Sequence, residues 1–329
     1  MITTNTIGPA GPARQQGIAL ITAVLIVAIV ATVSAHLSLG QQVWVRQAQN
    51  LNDRAQADTV SKAAFQWAML IVDEDARKTQ GTDNLTEDWA RPLPPLPVES
   101  GAIQGQIIDA QGLFNLNNLL RNNAPSQPDI GVFQRLLRNL GLDPNLSEAV
   151  VDWLDSDSQT RPAGAEDSEY LTLQPPYRAA NQLMQSVEEL RLIRGFDAGA
   201  VEKLRPLVVA LPKATAININ TAPAPVLSAL FPNLPLSTAQ QLVVARDKTP
   251  FKDVGQLTAQ AGQATAPNLT LAVTSDYFMV VVETQFGRLA RRSQALINRA
   301  ASTAGGGDKS KPPAAGTNKT QILWTSHIL

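Results

Sequence analysis

From Ile18 to Ala35 the chain carries no charged residue; "IALITAVLIVAIVATVSA" is apolar apart from Thr22, Thr32 and Ser34. Its length is near the short end of the roughly 17–25 residues that cross a bilayer as a helix, and His36 to Leu39 can extend it. Arg14 lies on the inner flank and Gly17 stands directly before the run. Two readings fit. In one, the run is a cleaved secretory signal with Val33, Ser34 and Ala35 as the small-residue cleavage site. In the other it is a retained anchor with its N-terminus in the cytoplasm. A single basic residue in the leader and a long apolar run favour the anchor.

The helical pattern continues past the membrane. No Gly or Pro occurs from Gln41 to Gln80, and apolar residues recur at helical spacing. Trp44, Ala48, Leu51 and Ala55 form one stripe; Val60, Ala64, Trp67 and Ile71 form another. The spacing predicts one long helix from Ile18 to about Lys78, half in lipid and half offering an amphipathic face to a domain. Gly81 with Asp83 and Asn84 reads as its stop.

A Gly before an apolar stretch, on a long helix that later packs on a domain, resembles the leader-cleavage region of type IV pilins and type II secretion pseudopilins. The resemblance implies a prepilin leader over 1–17, cut by a prepilin peptidase between Gly17 and Ile18. That family usually carries Glu at the fifth mature position, which here is Thr22. The departure points to one member, the general secretion pathway protein K family of large minor pseudopilins.

Downstream, "RPLPPLPVES" (91–100) reads as an extended connection and "GAIQGQIIDA" (101–110) as a strand. Residues 275–299 read as two strands around a turn near Phe286 and Gly287, 302–319 as a flexible Gly/Pro/Lys-rich loop, and 320–329 as a final strand or a tail. Between them the pattern is helical. The fold class is therefore α+β with a large inserted all-α domain, and the resemblance implies that its α+β part is a pseudopilin fold, with the long helix on a small antiparallel sheet. The spans are 18–40 for the transmembrane segment, 41–111 and 271–329 for the pseudopilin domain, and 112–270 for the insertion.

The insertion contains a weak repeat. Asn115/Asn117 and Asn218/Asn220 each open a short apolar helix, and after a turn Ser147 and Ser237 are placed to cap a second helix. Such paired hairpins resemble helix-hairpin-helix DNA-binding modules. Those present backbone N–H groups to phosphate at a Gly-rich turn. The turn at 231–235 has two prolines and no Gly, and the turn at 141–144 carries Asp143. Acidic residues crowd 147–169, so nucleic acid is not an expected partner.

That acidic stretch is the one candidate site. Asp155, Asp157 and Glu166 fall at positions 1, 3 and 12 of an EF-hand-type calcium loop, although Thr160 stands where that loop has Gly. Spacing alone leaves a solvated acidic loop equally open. The run from Asp152 to Tyr170 looks like the calcium-binding segment of the protein K family. The resemblance implies structural calcium on Asp155, Asp157, Glu166 and Asp167, with Asp152 and the Gln159 carbonyl as secondary ligands. The chain has no Cys and two His, and it lacks GxSxG, HExxH and P-loop patterns, so no catalytic constellation emerges.

The expected function is a non-catalytic minor pseudopilin that starts and caps the periplasmic pseudopilus of a type II secretion system. The implied partners are minor pseudopilins I and J, the major pseudopilin, the prepilin peptidase, the inner membrane and secreted proteins. A membrane-anchored DNA-uptake protein and a minor pilin of a type IV pilus are the alternatives.

Overall fold

A computed structural model describes residues 15–78, 81–262, 269–299 and 320–328; the loop expected at 302–319 and most of the expected leader lie outside them. The chain divides into two compact units, Met1–Asp58 and Thr59–Leu329. Helix α1 runs from Gln15 to Lys78. In the first unit its apolar residues face outward, with Ile18 at 66% and Leu25 at 58% exposure, the pattern of a helix whose solvent is lipid. The threonine hydroxyls in this stretch are satisfied within the helix. Thr22 Oγ1 donates to the Ala19 carbonyl at 3.0 Å, and Thr32 Oγ1 to those of Ala28 and Ile29 at 2.9 and 2.8 Å.

The second unit is built on a five-stranded antiparallel sheet: β1 (Leu93–Val98), β2 (Gly101–Asp109), β3 (Tyr277–Phe286), β4 (Leu289–Asn298) and β5 (Gln321–Ile328), in that spatial order. The last segment is thus a strand. Strands β3 and β4 meet in a two-residue turn in which Gly287 takes the left-handed φ of 53° that such a turn requires. Strand β2 pairs with β3 from Gly101↔Phe286 to Asp109↔Phe278, so everything between Asp109 and Tyr277 is an insertion between two paired neighbours.

One sheet face packs on the last turns of α1. Phe65 and Ala68 meet Ile103, Val280, Val282, Ala295 and Ile297, and Val72 meets Trp89 and Phe278. Each large side chain buried this way contributes about 1.5–3 kcal/mol. The stripe read from the sequence is rotated here: Val60, Ala64 and Ile71 flank the contact, whereas Trp67 stays 48% exposed. The opposite sheet face, through Leu296 and Tyr277, covers Val209 and Leu211 of the insertion.

The insertion is organised by two helical hairpins, α2 (Gln127–Asn139) with α3 (Leu146–Leu154), and α6 (Ala224–Leu230) with α7 (Leu236–Lys248). Shorter helices α4 (Asp167–Tyr170), α5 (Ala198–Leu204) and α8 (Val254–Gln260) complete it. A single core holds both hairpins, including Phe133, Leu137, Val150, Trp153, Leu227 and Leu242. The block is not wholly helical. Phe114 and Asn115 pair with Val208 and Val209, Leu120 and Arg121 with Ala124 and Pro125, and Ile217 and Asn218 with Leu271 and Ala272.

The Asn-x-Asn segments explain the first and the last of those bridges. Asn115 Oδ1 accepts from Asn117 N at 3.1 Å, and Asn218 Oδ1 from Asn220 N at 3.0 Å, a local bond that holds each first Asn extended rather than helical. Each second Asn then brackets one distant residue through both amide atoms. Asn117 grips the Met184 N–H and carbonyl at 2.9 and 2.8 Å; Asn220 grips those of Phe251 at 2.8 Å each. The expected serine caps are displaced. Ser147 and Ser237 are the second residues of α3 and α7, because the helices start two residues earlier than such caps require, after Asn145 and Pro235. Ser147 Oγ instead donates to the Pro144 carbonyl at 2.9 Å and accepts from Gln134 Nε2 at 3.1 Å.

Beside α1, Glu87 accepts from Asn84 N, Asn84 Nδ2 and Trp89 Nε1, the last at 2.7 Å. Burial, with help from Asp75 and Asp83, raises its pKa to about 7 despite these donors. The folded state therefore holds this proton more tightly than the unfolded state. The stabilisation it brings is complete below the ordinary carboxylate range and lost as pH rises through about 7. We expect Trp89 emission to titrate near pH 7, with the melting temperature falling across the same interval. Glu87→Gln should flatten both; an unchanged titration in that variant would place the proton elsewhere.

Candidate metal centre

Helix α3 delivers Asp152 and ends at Leu154, and the following Asp155 has extended backbone at φ −75°, ψ 164°. The chain then loops outward through Asp157 and returns at Glu166, directly before α4. One carboxylate oxygen from each of Asp155, Asp157 and Glu166 lies within 4.8 Å of the others, with Asp155 and Glu166 buried and Asp157 exposed. Asp155 Oδ1 and Glu166 Oε1 are buried without a hydrogen-bond donor. Buried anionic oxygens with no donor are costly, and three converging carboxylates repel one another. Burial first, and then the neighbouring carboxylates, raise Glu166 to about 7; burial and Asp157 push Asp155 upward. Hard oxygens at this spacing fit a calcium-sized cation, which would reverse both penalties.

The other expected ligands are placed differently. Asp152 is fully buried, its Oδ2 accepting from Arg161 N at 3.1 Å and its Oδ1 lying 3.4 Å from the Arg161 guanidinium. Burial raises its pKa to about 6. It already has a cation in Arg161, and its own charge adds to the repulsion that raises Glu166. Asp167 turns away: Oδ1 accepts from Ala179 N at 3.0 Å and Oδ2 lies 3.4 Å from Arg178. Gln159 is exposed, and its N–H donates to Asp157 Oδ1 at 2.8 Å, closing the loop tip around that carboxylate.

Aromatic rings wall the site. Trp153 meets Tyr170 edge-on at 5.4 Å, and Tyr170 stacks on Tyr177 at 5.3 Å. Arg194 pins the returning loop, donating to the Gly164 carbonyl at 3.1 Å and to Glu169 at 2.8 Å.

A second acidic cluster, unforeseen in the sequence, joins Asp75, Asp83 and Glu87. It carries its own cation: Arg299 donates to both oxygens of Asp83 at 2.7 and 2.6 Å and lies 3.8 Å from Asp75. Asp83 and Arg299 are 216 residues apart, and nothing local in either segment signals the pairing. At the other end of the chain, Gly17 and Ile18 are exposed residues of α1, and Thr22 lies one turn further on.

A long helix, first apolar and then packed on a small antiparallel sheet, with a helical block inserted between two paired strands, defines a pseudopilin. Family models described as "Type II secretion system (T2SS), protein K" match residues 112–213 and 217–277. The type II secretion system protein K of Pseudomonas aeruginosa is 36% identical over 86% of this chain and 88% of its own length. That of Pectobacterium carotovorum is 34% identical, covering 87% and 93%. The crystal structure of the GspK–GspI–GspJ complex from the enterotoxigenic Escherichia coli type 2 secretion system contains a similar chain. It matches with a TM-score of 0.72 and 26% identity, over 86% of this chain and 99% of that one. The chain belongs to the type II secretion system protein K family and is a minor pseudopilin.

Gly164 has no room for a side chain, because a Cβ there would lie 1.9 Å from Asp152 Oδ2. Gly164→Ala should displace the buried carboxylate and lower the stability of the folded chain by about 1–3 kcal/mol. A melting temperature equal to the wild type would show that the loop yields and does not hold Asp152.

Proposed function

We propose that this minor pseudopilin initiates and caps the periplasmic pseudopilus, as a structural subunit without catalysis. The observation that carries the reading is Thr22, whose hydroxyl is satisfied by the Ala19 carbonyl and which offers no charge to a neighbour. After cleavage behind Gly17, the Ile18 amine is a cation at the end of an apolar helix. By comparison with Lys, a cation at the bilayer centre costs about 2.5–3.5 kcal/mol on insertion scales, and less near the interface. The resemblance implies that, in a pseudopilus, the Glu of an entering subunit neutralises the amine of the subunit above. A subunit with Thr22 cannot add beneath another, yet its own amine can receive the next subunit's Glu. It is therefore first, and stays at the tip.

The natural partners at that tip are minor pseudopilins I and J, with the major pseudopilin below. The similar solved chain belongs to a complex of K, I and J chains, which supports that choice. Before assembly the chain crosses the inner membrane once, N-terminus in the cytoplasm and the bulk in the periplasm, which the exposed apolar part of α1 supports. The processing enzyme is the prepilin peptidase; secreted proteins are further candidate partners of the tip.

Calcium is the proposed structural ion, held by Asp155, Asp157 and Glu166. The donorless buried oxygens support it. It would tie a loop that has no cysteine to staple it.

Three outcomes test these readings. The mature protein should begin at Ile18 by mass spectrometry, and Gly17→Val should stay uncut; a mature chain starting at His36 would mean a secretory signal instead. Labelled protein should appear once per fibre at one end, and label along the shaft would sink the tip assignment. Calcium at about a hundred times its Kd should add about 2.7 kcal/mol to the stability of the full chain in detergent. Asp155→Ala with Asp157→Ala should abolish that gain; equal melting of the wild type in calcium and in chelator would leave the loop an ordinary acidic turn.

A further inference from the structure

Beyond Leu39 the first unit turns polar at Gly40, Gln41 and Gln42, then carries an apolar island, Val43, Trp44 and Val45, before Arg46 and Gln47. All of these residues are helical and exposed. Trp44, at 76%, is the most exposed large apolar side chain among the described residues, and Val43 and Val45 stand at 54% and 55%. Nothing in the site chemistry above uses them.

Water is a poor surrounding for a tryptophan this open. A single protein partner fits no better. Successive residues turn about 100° round a helix, so the three apolar side chains spread over about 200° of its circumference. A packed face, such as the one that takes Phe65 and Ala68, covers a stripe and not a ring. A medium that surrounds the helix covers all three. Depth says which medium. Trp44 lies about 39 Å along the helix from Ile18, at 1.5 Å per residue. A hydrocarbon core is about 30 Å thick, and its headgroups bring the bilayer to about 40–45 Å. With the Ile18 amine among the inner headgroups, Trp44 therefore reaches the outer ones. Tryptophan favours that layer, where its ring is half in apolar surroundings and its N–H meets polar groups. Arg46 lies about 3 Å further out. It is the one Lys or Arg between Gly17 and Asp53, and no Asp or Glu precedes Asp53 to compete with a lipid phosphate for its guanidinium.

We infer that Trp44 and Arg46 anchor α1 in the headgroup layer of the periplasmic leaflet, with the indole beside the lipid carbonyls and the guanidinium on a phosphate. The anchor is continuous with the exposed apolar run that begins at Ile18. It rests on the membrane-crossing reading given above and adds the depth at which the helix stops. Trp44 held there keeps Gly17 and Ile18 at the opposite surface, with the Ile18 cation clear of the hydrocarbon.

The probe is the full chain in vesicles of phosphatidylglycerol and phosphatidylethanolamine. Their acyl chains carry bromine, a quencher of tryptophan, either close to the headgroup or close to the methyl end. The chain has no Cys, so Leu25→Cys accepts one polarity-sensitive dye and reports separately whether the helix is in the bilayer. The wild type should lose more emission to the bromine near the headgroup. Trp44→Phe should abolish that excess, because Trp67, Trp89, Trp153 and Trp324 all belong to the second unit. Arg46→Glu, which sets a carboxylate among phosphates, should weaken the quenching of Trp44. With the dye in hydrocarbon, quenching that Trp44→Phe leaves unchanged would overturn the anchor while the membrane reading stands. Stronger quenching of Trp44 from the methyl end would overturn it too, since the ring would then lie in the core. Quenching indifferent to Arg46→Glu would overturn the part given to the arginine. A dye that reports water would overturn the membrane reading and the anchor together.

Discussion

Asp109 ends strand β2, and its buried carboxylate gathers the joints of the second unit. Oδ1 accepts from Gln111 N at 2.8 Å. Oδ2 accepts from Ser275 Oγ and Thr221 Oγ1 at 2.6 Å each and from Asn218 Nδ2 at 2.8 Å. One side chain thus binds the point where the chain leaves the sheet, the point where it returns, and the second Asn-x-Asn segment. Asn218 also donates to the Asp83 carbonyl, Ser275 N donates to Asp83 Oδ2, and Arg299 closes the circuit at Asp83. Burial alone would push Asp109 toward its neutral form, and burial does raise its pKa; the donors around it oppose that shift. The helical block is fastened to the sheet by polar bonds in a dry environment, where a bond left unmade is expensive.

The two acidic clusters solve the same electrostatic problem in opposite ways. Near Asp83 the chain supplies a guanidinium in bidentate geometry, with the Phe278 ring 4.9 Å beneath it. Around Asp155 the nearby internal cation, Arg161, serves Asp152 and Glu148, and the outer trio is left without one among the described residues. A fixed internal cation makes the first cluster a permanent clasp. The second depends on its surroundings, and the difference lies in where one arginine falls.

How much of this the sequence reveals follows from the range of the interactions involved. The apolar run beginning at Ile18, the strands at 101–109 and 277–298, and the Asp155/Asp157/Glu166 spacing are patterns within a few tens of residues, and they are legible. The helical stripe places Trp67 on the packed face, because periodicity gives a stripe but not its rotation. Phe65 and Ala68 win that place because the pleat of β2, β3 and β4 meets them. The Asn pairs are visible as a repeat, yet their work, clasping Met184 and Phe251, is done across 67 and 31 residues. Asp167 enters the ligand set by resemblance alone; its oxygens go to Ala179 N and Arg178, which no spacing rule reports.

The insertion leaves the sheet after Asp109 and returns at Tyr277, and the strands on either side pair through Asp109↔Phe278. Departure and return are therefore neighbours, as they would be in a simple hairpin. A block attached through two adjacent strand ends can be lengthened or reshaped away from its ties to Asp109 and the sheet without changing the register of the strands beneath it. The helix and sheet are thereby insulated from whatever the outer part of the block adapts to. Evolution can vary its outer part as an adaptable head, and an engineer could replace it with another domain whose termini lie equally close together, provided that domain also gives donors to Asp109 and covers Tyr277 and Leu296.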